Sequence, residues 1–432
     1  MATFDKSAAA FPGRDRQVFL MTCGASLLPA VALERMVAAA HGQAESGGLV
    51  FGSYDETIDR FHRTVARLLG TGAADVSFQR NTTEGLSLIA GGYPFRPGDE
   101  VISYVHEYPA NHYPWRNLTR RGVRLVELPN VTYPGDPGAD GRPYAFSLDD
   151  LEQRITPRTR VVALSSVQFT SGFAVSVESL AEICRNHGID LVLDAAQSLG
   201  AVPLRPAEHG IAAVAAPGWK WLLGPIGSGL MYTSPELRDK LEHVAVGAET
   251  MMQGVDYLDH AWAPHRSAKR FEYATASPAL VAALEASIAD IHLRYGVEAI
   301  RTEILRLQDL LIDALDPALF IAPQRAAVNR SGILGVVPRR GTPEGLVEGL
   351  LGRGFVTSSR GGYVRIAAHF FITDEEIARL ARAMNELGRL ERSLGRDRAR
   401  GTDVEPYMTR ERRPKPRSRV RSSWWAILDS NQ

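Results

Sequence analysis

Cysteine is scarce in this chain: 432 residues hold two, Cys23 and Cys184, far apart and outside any CxxC pattern. That excludes a disulfide framework and argues against a zinc site, and no other metal centre is expected. No apolar run approaches the length of a membrane span, and the opening "MATFDKSAAAFPGRDRQ" lacks the apolar core of a secretory signal. Charge of one sign is missing too. Lys plus Arg is 49 and Asp plus Glu is 49, so no overall field draws the chain to nucleic acid or to anionic membranes. The expectation from these absences is a cytoplasmic protein acting on small molecules.

What is present suits a large globular core. Hydrophobic residues make up 45% and charged residues 23%, and the length allows two or more domains. Strand-like runs alternate with helical ones through the middle: "DEVISYV" (99–105), "VRLVELP" (123–129), "RVVALSSVQF" (160–169), "IDLVLDAA" (189–196) and "GSGLMYT" (227–233). Several are apolar on consecutive positions, as strands covered on both faces are. Between them lie helices such as "VESLAEICRNHG" (177–188), closing on glycine. The pattern predicts an α/β fold, a mostly parallel central sheet covered by helices, with sites at the C-terminal strand ends.

After about residue 278 the pattern changes. "SPALVAALEASIADIHLRYG" (277–296) reads as one long helix with a serine cap, and a helix with an acidic first turn covers 373–392. The expected division is an N-terminal segment 1–25, a large domain 26–277, a smaller α+β domain 278–391 and a basic, disordered tail 392–432. From Arg392 to Arg421 the tail carries eleven Lys/Arg against four Asp/Glu, and a solvated extension is the reading for it rather than a nucleic-acid arm.

Four local patterns bear on chemistry. Asp194 emerges from an apolar strand in "LVLDAAQSLG" (191–200), with Gln197 three residues on. Alone, that acid is better read as a cap or turn residue. In "FQRNTTEGLSLIAGG" (78–92), Asn81, Thr82 and Thr83 open a helix, which makes either an anion site or a plain cap. Lys220 stands between Trp219 and Trp221 in "GWKWLLGPIGSG", before three spaced glycines. A lysine in an apolar surround loses its charge more readily and becomes a nucleophile, although a snorkelling surface lysine has the same flanks. Arg365 sits inside the apolar "YVRIAA" (363–368), suited to a bidentate carboxylate or to a structural ion pair. One chemistry uses all four. A pyridine aldehyde bearing a phosphate needs an amine, an acid for its ring nitrogen, an anion cradle and an arginine for an amino-acid carboxylate, and that cofactor is pyridoxal 5'-phosphate.

Over roughly residues 20–390 the chain resembles the class V aminotransferase family of pyridoxal-phosphate enzymes (fold type I), which includes cysteine desulfurases, isopenicillin N epimerase and kynureninase. The resemblance is carried by "EYPANHYPW", "DAAQSLG", "GWKWLLGPIGSG" and "VRIAAHFFITDEE", in the family's order and spacing. It implies that Lys220 forms the Schiff base and then serves as acid and base at the substrate's α-carbon. Asp194 would pair with the pyridine nitrogen, Gln197 would bond the phenolic oxygen, and Thr82 and Thr83 would hold the phosphate. Tyr108 would stack on the cofactor ring where many relatives have histidine. Thr275 would reach the phosphate across a homodimer interface, and Arg365 would bind the substrate carboxylate.

Departures refine this reading. Trp219 replaces a polar phosphate ligand, and Phe169 stands where desulfurases carry an asparagine, with Ser166 and Gln168 as weak substitutes. Desulfurases also carry a loop cysteine shortly before the arginine; here that loop is "VTSSRGG" (356–362) and both cysteines lie elsewhere in the sequence, which disfavours a persulfide-forming desulfurase. The expected function is therefore an aminotransferase. An epimerase or β-eliminating lyase of the same family is the alternative, and a non-catalytic scaffold of the same fold the reading from another class.

Overall fold

The computed structural model describes residues 3–132, 141–254, 256–323 and 325–400. The tail beyond 400 lies outside the described residues.

Among the described residues seven strands form the main sheet, in the spatial order Val76–Gln79, Gly229–Thr233, Ala213–Pro217, Asp190–Asp194, Thr159–Ser165, Glu100–Tyr104, Arg124–Leu128. All run parallel except Gly229–Thr233, which is antiparallel to both neighbours. Crossover helices leave the inner strands no wet face, so consecutive positions must be apolar. Leu191, Val192 and Leu193 meet that demand and are each almost completely buried. Each such side chain contributes roughly 1.5–3 kcal/mol relative to exposure. The stretch 123–129 departs from the expectation: as Arg124–Leu128 it has a single neighbour at the sheet edge and stays half open.

A second sheet is fully antiparallel, in the order Ser358–Arg360, Tyr363–Ile366, Leu334–Pro338, Phe320–Ile321. The N-terminal segment joins this half of the molecule. Val18–Phe19 pairs with Phe355–Val356, and Met21 bridges to Ala367. Thr22 N–H donates to the Ala367 carbonyl and Ala367 N–H to the Leu20 carbonyl, so residues 20–22 lie beside the end of the strand that carries Arg365.

Two helical expectations need correction. The run 277–296 is an α-helix only over Pro278–Ser287, and continues as a π-turn over Ile288–Leu293. Ser277 stands at its N-cap without a capping hydrogen bond from its side chain. The wider π-turn carries His292, which reaches the carbonyl of Trp221 at 2.8 Å, and Ser287 Oγ donates to the carbonyls of Leu222 and Leu223. This helix is thereby tied to the lysine loop. The last helix spans Asp374–Arg400, eight residues past the expected end at Arg392. It opens with the reciprocal cap of Thr373 and Glu376. Among the described residues no helix is long and apolar enough to cross a membrane.

Candidate active site

Asp194 ends a central strand, where the chain leaves the sheet and a carboxylate faces the cleft. It is 3% exposed. One oxygen accepts the Ala196 N–H at 2.8 Å, while the other has no hydrogen-bond donor among the described residues. Burial raises its pKa, opposed by that N–H and by Lys220.

Lys220 follows the next strand, on a loop tied by Gly218 N–H to Ser228 and Gly224 N–H to Gly218. Leu223 in this loop has φ +57°, a left-handed backbone that non-glycine residues rarely adopt. Of the two flanking tryptophans, Trp221 is completely buried and Trp219 only partly. The Lys220 side chain is itself partly open, yet desolvation by its surroundings is the largest influence on the amine and lowers its pKa. Asp194 and Cys23 oppose that shift, and the positive charge of Arg365 adds to it. The Lys220 Nζ lies 5.5 Å from the centre of the Tyr108 ring. Tyr108 meets Phe169 edge to face at 5.2 Å, so these two rings line one wall.

Arg365 is 5% exposed. Its Nε donates to Ser358 Oγ at 3.1 Å and its Nη1 to the Phe169 carbonyl at 2.7 Å, both neutral acceptors. No carboxylate pairs with it among the described residues. A buried guanidinium without a counter-charge is costly, and a substrate carboxylate would supply one.

Gln197 is buried beside them. Its Nε2 donates to the Cys23 carbonyl at 2.9 Å, and its Oε1 accepts the Trp221 indole N–H at 3.0 Å. Thr82 and Thr83 open the helix Thr82–Gly92, with Thr82 buried and Thr83 exposed. Asn81 caps this helix by accepting the Glu84 N–H at 2.9 Å, leaving the N–H groups of the first turn directed outward. A Cβ built on Gly85 would stand 3.3 Å from that of Ala215, so the helix packs tightly on the strand that leads to Lys220.

Thr275 is not brought to this cluster. It is exposed and bonds Glu249 at 3.3 Å.

Two residues escaped the sequence reading. Cys23, set aside as remote, is 2% exposed and places its Sγ 4.0 Å from Ser358 Oγ, against the very loop in which a thiol was sought. Only the pairing of Val18–Phe19 with Phe355–Val356, and the Met21–Ala367 bridge after it, bring it there. Glu107, next to Tyr108, is buried and accepts both the N–H and the hydroxyl of Ser165, at 2.7 and 2.5 Å. Burial pushes its carboxyl up to about 7, with Asp194 adding to the rise and Ser165 opposing it. An acid following an apolar strand was the available signal.

The sequence matches the family described as Aminotransferase class-V over residues 18–379. The chain belongs to the class V aminotransferase family of pyridoxal-phosphate enzymes. Its residues fit that cofactor: a buried carboxylate with one oxygen and an amide with one N–H that no described residue engages, a helix N-terminus and a lysine of lowered pKa. This class V enzyme is 26% identical to a probable cysteine desulfurase of Methanothermobacter thermautotrophicus, over 75% of this chain and 82% of that one. It is likewise 26% identical to the uncharacterized aminotransferase YcbU of Bacillus subtilis, over 72% and 79%. A solved structure of the cystine C–S lyase C-DES, in complex with its product cysteine persulfide, shares the fold at a TM-score of 0.78 and 21% identity. That alignment covers 87% of this chain and 99% of the other.

Proposed function

We propose that this enzyme binds pyridoxal phosphate at Lys220 and acts at the α-carbon of an amino acid whose carboxylate pairs with Arg365, with transamination as its reaction. The observation that carries the reading is the shared pocket of a lysine lowered in pKa and a buried arginine that has no counter-charge among the described residues. When bound, the cofactor supplies the electron sink. The residues do the rest. Asp194 presents its free oxygen to the ring nitrogen, Gln197 its spare N–H to the phenolic oxygen, and Tyr108 its ring face. Thr82 and Thr83, with the helix N-terminus, hold the phosphate. Arg365 fixes the carboxylate, which directs the α-hydrogen, and a neutral Lys220 amine takes and returns that proton.

One observation favours a second reading, cleavage at the β-carbon of a sulfur-bearing amino acid. Cys23 puts a thiol at the pocket wall, so the lack of a cysteine in 356–362 no longer speaks against sulfur chemistry, and C–S cleavage is the activity named for the C-DES structure.

We further infer a homodimer. Exposed Met252, Tyr257, Leu258 and Trp262 lie on the loop that adjoins Thr275. A second copy seated there would cover this apolar surface and receive Thr275 at its own phosphate site. The free, buried thiols of Cys23 and Cys184 suit a reducing compartment, the cytoplasm.

The test is the visible absorption of the purified protein with pyridoxal phosphate, alone and with single L-amino acids. Bleaching by one amino acid and recovery with a keto acid establishes transamination. Release of ammonia or sulfide without recovery moves the assignment to the lyase. In either case Arg365→Lys, which loses the planar fork, should raise KM about 10-fold to 100-fold. An unchanged KM would remove Arg365 from the carboxylate site.

A further inference from the structure

A side-chain amide can sit in either of two flipped orientations, and Gln197 is held in one of them by partners of single sense. The Trp221 indole can only donate, and it faces Oε1 at 3.0 Å; the Cys23 carbonyl can only accept, and it faces Nε2 at 2.9 Å. A flip would set donor against donor and acceptor against acceptor. Cys23 takes one amide hydrogen, and no described residue takes the second.

Trp221 is clamped in turn. It is completely buried, and its carbonyl lies 2.8 Å from His292 Nε2 on the π-turn. Burial lowers the pKa of His292, opposed by the Trp221 carbonyl and by the Ser287 carbonyl, which faces Nδ1 at 3.2 Å. The indole stacks on His369 at 5.8 Å. Two glycines make room for it. A Cβ on Gly332 would come 2.2 Å from the indole, and one on Gly200, at φ +101°, would come 2.4 Å from the Trp221 carbonyl. These contacts seat one nitrogen accurately.

We propose that Trp221 is a positioning residue for the cofactor: its indole N–H holds the Gln197 amide in the orientation that keeps one N–H free for the phenolic oxygen. This rests on the role given to Gln197 above. A donor at that oxygen lowers its basicity, and so lowers the pH at which the bound cofactor loses its proton.

Trp221→Phe keeps a stacked ring and removes the N–H. The midpoint of the pH titration of the bound cofactor's visible absorption should rise by about one unit. Gln197→Ala should raise it at least as far, and adding Trp221→Phe to Gln197→Ala should shift it no further. An unmoved midpoint in Trp221→Phe overturns the proposal, as does an equal shift in the Gln197→Ala background, which would mark a merely structural effect. A second measurement needs no cofactor. Hydrogen exchange of the Trp221 indole N–H should be at least about 10-fold faster in Gln197→Ala than in the unaltered protein, and equal rates overturn the fixed amide. An unaltered protein with no cofactor band overturns the reading of the site and the proposal with it, an outcome distinct from a normal band whose midpoint does not move.

Discussion

At the scale of single residues, the pocket places groups of opposite demand side by side. Lys220 is pushed toward its neutral form, Asp194 is kept near that lysine, and Glu107 behind them is raised to about 7. The Glu107 shift has a thermodynamic consequence whose sign runs against the usual carboxylate. Its folded pKa lies above the unfolded value near 4.5, so the folded state binds the proton more tightly. The resulting stability is full below about 4.5 and is lost as pH rises toward 7. His369, buried neutral and held down near 3, acts in the opposite sense, since the unfolded state takes up its proton first. The contribution of Glu107 is therefore read as a difference. Relative to Glu107→Gln, the cofactor-free protein should lose on the order of 3 kcal/mol between pH 4.5 and 7.5. Urea unfolding across that range checks it, and parallel curves would show that Glu107 titrates normally.

At the scale of elements, one short helix and two strand ends bring the candidate site together. The helix Thr82–Gly92 starts where its N–H groups can face an anion because Asn81 caps it and Gly85 allows it to lie close on the strand before Lys220. Asn81→Ala should cost about 1 kcal/mol of stability by loss of the cap. If this helix start holds the phosphate, cofactor dissociation should quicken several-fold in the same variant, followed by absorbance after dilution. Loss of stability without a change in dissociation would separate the cap from the phosphate site. The π-turn at Ile288–Leu293 shows what pattern reading passes over. Its sequence is as apolar as an α-helix, and nothing in that pattern marks the wider turn, from which His292 reaches the Trp221 carbonyl.

At the scale of the whole molecule, the exposed apolar loop beside Thr275 calls for a cover. Leu258 is 91% exposed and Trp262 66%. A dimer predicts a sedimentation mass of twice 47.2 kDa. Leu258→Asp should weaken association at least about 10-fold and, because Thr275 then leaves the neighbouring site, lower cofactor affinity with it. A fully dimeric variant, or a monomer that keeps its cofactor affinity, would place the interface or the Thr275 contact elsewhere.

By itself the sequence determined the class of fold and the family with its cofactor. Consecutive apolar positions at 191–193 read as a buried parallel strand, and Asp194, Gln197 and Lys220 stand at fixed short distances from strand ends, so local pattern is enough to place them. The same holds for Thr82 at its helix start and for Arg365 in its apolar run. Tertiary structure alone decided what meets across long stretches of chain. Cys23 enters the pocket because Val18–Phe19 pairs with Phe355–Val356, more than 330 residues away. Gln197 is oriented by a partner 24 residues on in the chain, which is itself clamped by His292, 71 residues beyond it. Such contacts leave no periodicity behind, because a single hydrogen bond or one pair of β-bridges constrains two positions and nothing between them.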